Sequence, residues 1–189
     1  MANFANDFID LIALKLKPLG QYDYPLPVSL GALLLLGAVY GVGYSSALGF
    51  PWQASVALGF ALVASFTGAQ TWILGRMYKK ASAPSAPGFG FFAATNSLAM
   101  LQGFGFAHPV LAALSALWSV YVLFVQVRGL FLGAKGTVPA LRIALGYFLA
   151  FIVAVICADA FLYLLSVFGA IDLSEAMIKA KEYMEQPAP

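Results

Sequence analysis

Asp159 is the residue whose type and place most invite chemistry. It follows Val155-Ile156-Cys157-Ala158 and precedes Ala160-Phe161-Leu162, so a carboxylate stands inside an apolar run. At the centre of a spanning helix such a group costs about 2.5–3.5 kcal/mol, which calls for a partner, a cavity or water beside it. The chemistry on offer is proton or cation handling. His108 is the single histidine and the candidate partner, because imidazole exchanges protons near neutral pH. Gln102, with Thr95 and Ser115, can extend the same polar patch. The plainer alternatives are a structural hydrogen bond or a position near the outer headgroups for Asp159, and an exposed loop histidine for His108.

Other chemistries lack their residues. One histidine and one cysteine, Cys157, fall short of a zinc site. They also exclude a bis-histidine haem supplied by this chain alone, and Cys157 has no partner for an internal disulfide. Gly-x-Ser-x-Gly is absent, as are His-Glu-x-x-His and Cys-x-x-Cys. Gly129-Leu-Phe-Leu-Gly133-Ala-Lys135 has glycines too close for a phosphate loop, and its lysine does not follow glycine. No cofactor and no metal are expected, nor an enzyme acting alone. The net charge of +2 is too small to argue for nucleic acid.

The elements that position these residues follow from composition. Apolar residues make up 62% of 189 and charged residues 10%, against roughly 25% charged in a soluble domain. Mean hydropathy is +0.88. Too little polar surface remains to face water, so lipid is the solvent for most of the chain. Five apolar runs approach the ~20 residues of a spanning helix: residues 28–50, 52–74, 89–107, 109–132 and 141–168. Pro51 and Pro109 separate neighbouring runs, and Pro139 suits the start of the fifth. Thr95, Asn96, Ser97 and Gln102 make the third run the most polar. Trp52 and Trp72 bracket the second, as in an aromatic belt.

The predicted class is an all-α, five-helix transmembrane bundle over residues 28–168. Residues 1–27 precede it and 169–189 follow it. With the N-terminus inside, Lys15, Lys17, Arg76, Lys79, Lys80, Arg128, Lys135 and Arg142 all fall inside. Only Lys179 and Lys181 fall outside. Eight to two is the positive-inside pattern, with the C-terminus outside. Arg76, Lys79, Lys80, Arg128, Lys135 and Arg142 also form a candidate rim for anionic lipid.

Phe4, Phe8, Leu11, Ile12 and Leu16 fall on one side of an N-terminal helix. Asn3, Asn6, Asp7, Asp10 and Lys17 fall on the other. This pattern predicts a helix lying in the membrane interface, with packing on the bundle as the alternative. Residues 172–186 read as a short capped helix with an apolar stripe of Leu173, Met177, Ala180 and Met184.

Small residues recur every four positions: Gly37, Gly41, Ser45 and Gly49; Ala57, Ala61, Ser65 and Ala69; Gly146, Ala150, Ala154 and Ala158. Such rows let helix backbones approach closely in lipid. They nominate the first, second and fifth runs as a tight core. Gln70 and Gln126 are candidates for interhelical amide bonds.

Four stretches carry a family resemblance: Phe91-Phe92-Ala93-Ala94, Phe106-Ala107-His108-Pro109, Leu117-Trp118-Ser119-Val120-Tyr121-Val122-Leu123 and Arg128-Gly129-Leu130. Ala140-Leu141 then opens the last run. In these, the last two-thirds of the chain resembles the Yip1 family of small five-span membrane proteins. Pro109, Trp118 and Gly129 stand where that family starts its fourth span, carries a tryptophan and ends the helix. The resemblance implies a compact bacterial-type member, expected in the inner membrane, without enzymatic activity or catalytic residues. The family's long eukaryotic cytoplasmic region has no counterpart here, so its traffic-GTPase partners do not carry over. The expected role is to organise membrane lipids or protein partners, as a homo-oligomer or with another membrane protein. The alternatives are a small transporter or channel using Asp159, and an accessory subunit of a larger complex.

Overall fold

The computed structural model describes residues 3–106 and 109–185, which are all helical and connecting segments with no strand. Helix α1 is Phe4–Ile12, and a 3-10 turn covers Leu19–Gln21. Helices α2, Leu26–Leu48, and α3, Trp52–Lys80, follow. Next come α4, Phe89–Ser97, and a 3-10 segment, Leu98–Phe106. The chain continues with α5, Pro109–Ala134, α6, Ala140–Val167, and α7, Leu173–Glu185. Four helices are long and apolar enough to cross a membrane: Leu26–Ser45, Trp52–Lys80, Ala113–Ala134 and Ala140–Val167.

Local chemistry sets the boundaries. Pro51 and Pro139 stand immediately before α3 and α6 in extended backbone, where the fixed φ of proline costs no helical hydrogen bond. Gly49 closes α2 at φ 69°, a left-handed cap open to glycine at no steric cost. The Asp172 carboxylate accepts from Ser174 N at 2.8 Å and starts α7.

The third apolar run is not one spanning α-helix. After nine residues α4 gives way to a 3-10 helix. The Thr95 and Ser97 hydroxyls donate to the Phe91 and Ala93 carbonyls one turn back, a local competition that weakens and bends helices. The Trp118 indole donates to Leu98 O at 2.7 Å, which pairs a carbonyl at the transition. Gly90 through Ser97 are all buried. This polar run therefore sits inside the bundle, sheltered by α1, α2, α3 and α5.

Close backbone contact joins α2 to α3. A Cβ on Gly37 would lie 2.5 Å from Phe60 N, and one on Gly41 2.8 Å from Val56 Cα. Gly59 faces the Gly37 carbonyl even more tightly. On the other side of α3, Gly146 packs on Leu74 and Met77, while Ala150 and Ala154 are buried. Ser45 and Gly49 have different work. The Ser45 hydroxyl donates to Phe50 O at 3.0 Å, and Gly49 lies under the Lys179 side chain.

The N-terminal segment packs on the bundle. Leu11 and Leu19 are buried in a cluster with Phe91, Val125 and Leu130, and Phe4, Phe8 and Leu16 pack against it. The Tyr121 hydroxyl of α5 donates to the Ile12 carbonyl. Ile9 and Ile12 are the large apolar residues of α1 that are exposed. The face expected to enter lipid is thus largely turned to protein, because α4 and α5 offer it an apolar groove. Asp7 is also buried, where Lys17 pairs with it and the Tyr24 hydroxyl donates to Oδ2 at 2.7 Å. Burial first, and then the Asp7 hydrogen bond, pushes the Tyr24 hydroxyl above its ordinary pKa. The hydrogen bond to Asp7 likewise raises that of Lys17.

At the other end, α7 rests on α2. Ala176 is buried and Leu173 half-buried, whereas Met177 is exposed. The apolar stripe is therefore displaced by one position at Ala176; the Ala180 and Met184 side chains lie outside the described ones.

Candidate functional site

The polar residues of the apolar runs meet at one place. Thr67 and Gln70 come from α3, Asn96 from α4, Gln126 from α5 and Tyr147 from α6. Thr67, Gln70, Asn96 and Gln126 are all buried. The Thr67 hydroxyl donates to Val63 O at 2.8 Å, which spends its only proton. It can therefore only accept from Asn96, whose Nδ2 lies at 2.8 Å. That fixes the Asn96 amide, because a hydroxyl without a free proton cannot face the carboxamide oxygen. The second Nδ2 proton goes to Gln70 Oε1 at 2.9 Å. Asn96 Oδ1 accepts from Gln126 Nε2 at 2.6 Å, and Gln126 Oε1 accepts from the Tyr147 hydroxyl. One threonine back-bond thus sets the direction of a chain crossing four helices. Its other end is Gln70 Nε2, which is buried, makes no hydrogen bond of normal geometry and lies against the Tyr147 hydroxyl.

Beside this chain lies a cavity of about 250 Å³. Asn96, Gln126 and Tyr147 form its polar base, and Gln102 and Ser119 add polar groups farther along. Tyr40, Phe66 and Phe151 supply aromatic walls, and Leu36, Val63 and Val122 aliphatic ones. The Tyr40 hydroxyl donates to Gln102 Oε1 at 3.1 Å. Leu123 of α5 and Phe151 of α6 line the cavity and are also exposed, by 45% and 54%. The cavity therefore opens sideways between α5 and α6, where lipid would lie. No Asp, Glu, Lys, Arg or described His lines it.

The residues nominated for proton chemistry are not gathered there. Gln102 lines the cavity. Asp159 does not; it is exposed on α6 with no hydrogen bond or ion pair to a described residue. The reason is helical phase: Tyr147, Phe151 and Ala154 face the cavity, and five residues beyond Ala154 is about 140° around the helix. His108 lies outside the described residues. The six rim cations, Arg76, Lys79, Lys80, Arg128, Lys135 and Arg142, are exposed and form no ion pair with a described residue. Arg76 lies over the Trp72 ring at 4.3 Å.

Gln70, Gln126 and Asn96 are legible in sequence as polar residues within apolar runs. Tyr147, Tyr40 and Thr67 are not, since they suit packing equally well. Comparison with protein-family models, curated proteins and solved structures finds no match to this chain.

Proposed function

We propose that this chain is a non-enzymatic, Yip1-like integral membrane protein that organises bilayer lipid by holding an amphiphile in the cavity between α5 and α6. One observation carries the reading: an amphipathic cavity, with no charged residue among its described lining, opens between two exposed apolar side chains, Leu123 and Phe151. An aqueous substrate would need a route from water and charged or well-hydrated lining, whereas a bilayer molecule enters sideways. Ion transport through Asp159 has less support, because that carboxylate is turned away from the cavity.

The reading includes five crossings, N-terminus inside and C-terminus outside, in a bacterial inner membrane. The fifth crossing is α4 with its 3-10 extension, nine residues of each. At 1.5 and 2.0 Å per residue they reach about 31 Å, the thickness of the hydrocarbon core. Irregular backbone is tolerated at that depth when buried in protein, and the 3-10 segment begins on two buried residues, Leu98 and Ala99. Ser85 supports the same topology. It follows α3, its hydroxyl accepts from Gly20 N at 3.1 Å, and its carbonyl abuts Gly133 near the end of α5. The ends of α3 and α5 thus share one side with the N-terminal segment, which needs a crossing between them.

The test is lipid retention. Protein purified from native membranes should carry about one bound amphiphile per chain by native mass spectrometry. Leu123→Trp, which fills the mouth from an exposed position, should lose it. Identical lipid profiles for the two would defeat the reading.

A further inference from the structure

We infer that the cavity takes a neutral, planar, carbonyl-bearing ring, the chemical class of the membrane quinones. This rests on the lateral-cavity reading above and names its ligand.

Two side-chain amides of the polar lining, Gln126 and Gln102, keep donors, whereas the Tyr40, Tyr147 and Ser119 hydroxyls donate within the protein. Because Thr67 fixes the direction of the amide chain, Gln126 Nε2 spends one proton on Asn96, and its second is directed elsewhere. The Tyr40 hydroxyl occupies the carbonyl end of Gln102, which leaves that residue's amide nitrogen as a further donor group. An amide N–H in an apolar medium needs an acceptor. The complement is a carbonyl oxygen, which accepts and does not donate.

Among the described residues none that lines the cavity is charged, which argues against two other classes. A phosphate headgroup or a fatty-acid carboxylate would enter an apolar site without a cation to pair with. An ammonium headgroup would lack an anion in the same way.

Shape points to a ring. Phe66 meets Tyr147 edge-to-face at 5.5 Å and Phe151 at 6.4 Å, so three rings already hold the geometry in which aromatic groups attract one another. Tyr40 lines the same space. The volume is below the 300–1,000 Å³ usual for whole small-molecule sites. It suits a single ring, with an aliphatic tail leaving between Leu123 and Phe151. No electron transfer is assigned, only binding.

The experiment measures equilibrium binding of a decyl-substituted benzoquinone to the full chain in nanodiscs, against empty nanodiscs. The expected result is saturable binding at one per chain. Binding of the matching hydroquinone, whose hydroxyls donate, should be several-fold weaker. Gln126→Leu should weaken quinone binding about tenfold, and Leu123→Trp should abolish saturation. The second variant keeps the test informative if the first fails to fold. Linear partitioning that matches empty nanodiscs would overturn the inference, as would equal or tighter binding of the hydroquinone. Retention of an aliphatic lipid that Leu123→Trp removes, with no quinone binding, would sink the ligand class and leave the lipid-cavity reading standing.

Discussion

Gln126 Nε2 donates to Asn96 Oδ1 at 2.6 Å, and two residues beyond Asn96 the α-helix becomes a 3-10 helix. This bond ties α5 to the point where the third apolar run breaks. Replacing Asn96 by leucine takes the partner from both Gln126 Nε2 and Gln70 Oε1. A buried polar group without its partner costs about 1–3 kcal/mol, but interhelical bonds in membranes average nearer ~0.6 kcal/mol. Asn96→Leu should therefore lower unfolding free energy by about 1–3 kcal/mol. An Asn96→Ala, Gln126→Ala double-mutant cycle should give a coupling of about 0.6–1.7 kcal/mol. Strict additivity in that cycle would mean the bond contributes nothing.

Two glycines on α3 should behave oppositely. A Cβ at Gly59 runs into the Gly37 carbonyl, whereas one at Gly68 meets nothing within 4 Å. Gly59→Ala should separate α2 from α3 and cost about 1–3 kcal/mol, the usual range for overpacking. Gly68→Ala should be neutral or stabilise by about 0.5–1 kcal/mol through helix propensity. Thermal unfolding of the two variants side by side checks the contrast. Equal melting temperatures would show that close approach at Gly59 is unimportant.

Asp159 is exposed on α6 without a described partner, in a stretch where a carboxylate costs about 2.5–3.5 kcal/mol on insertion scales. Asp159→Leu should thus raise bilayer stability or leave it unchanged, and should leave quinone binding unchanged. A fall in stability of the isolated chain would reveal an interaction that the fold does not display.

The Asp7, Lys17 and Tyr24 cluster makes a pH prediction for the N-terminal helix. Tyr24 and Lys17 both have folded pKa values raised above their ordinary ones. For a raised group, the stabilisation is complete below the unfolded value and is lost as pH climbs toward the folded one. Docking of α1 should hold through neutral pH and loosen above about pH 10, where free tyrosine and lysine titrate. Asp7→Asn should loosen it already at neutral pH, since the ion pair to Lys17 is gone. Hydrogen exchange of the α1 amides measures both effects. Protection that is flat from pH 7 to 11 would remove the cluster from the account.

Crossing number has a labelling test in a Cys157→Ser background. With five crossings, Pro84→Cys and Thr137→Cys face the same inner side, and Ser174→Cys faces outside. With four, the first two fall on opposite sides. A membrane-impermeant maleimide applied to intact cells should label only Ser174→Cys. Labelling of exactly one of the two inner positions would rule out five crossings.

Much of the fold is written in the residues themselves. Apolar runs of spanning length specify helices, and Pro51, Pro139 and Gly49 mark where they start and stop, because those residues act on their own backbone. The glycine row on α2 could be read as a contact face for the same reason: a missing side chain permits close approach wherever a partner stands. What the sequence could not carry is phase. A helix that is apolar on nearly every side gives no signal of which stripe faces protein, so Asp159 could not be told from a cavity residue. Tertiary structure decided that it points outward and that Tyr147, Phe151 and Ala154 point in. It also brought Thr67, Asn96 and Gln126 together from three helices, 29 and 30 residues apart. No local pattern encodes such a meeting. The direction of their hydrogen bonds follows only when all of them are in place, because a single hydroxyl proton on Thr67 orients the rest.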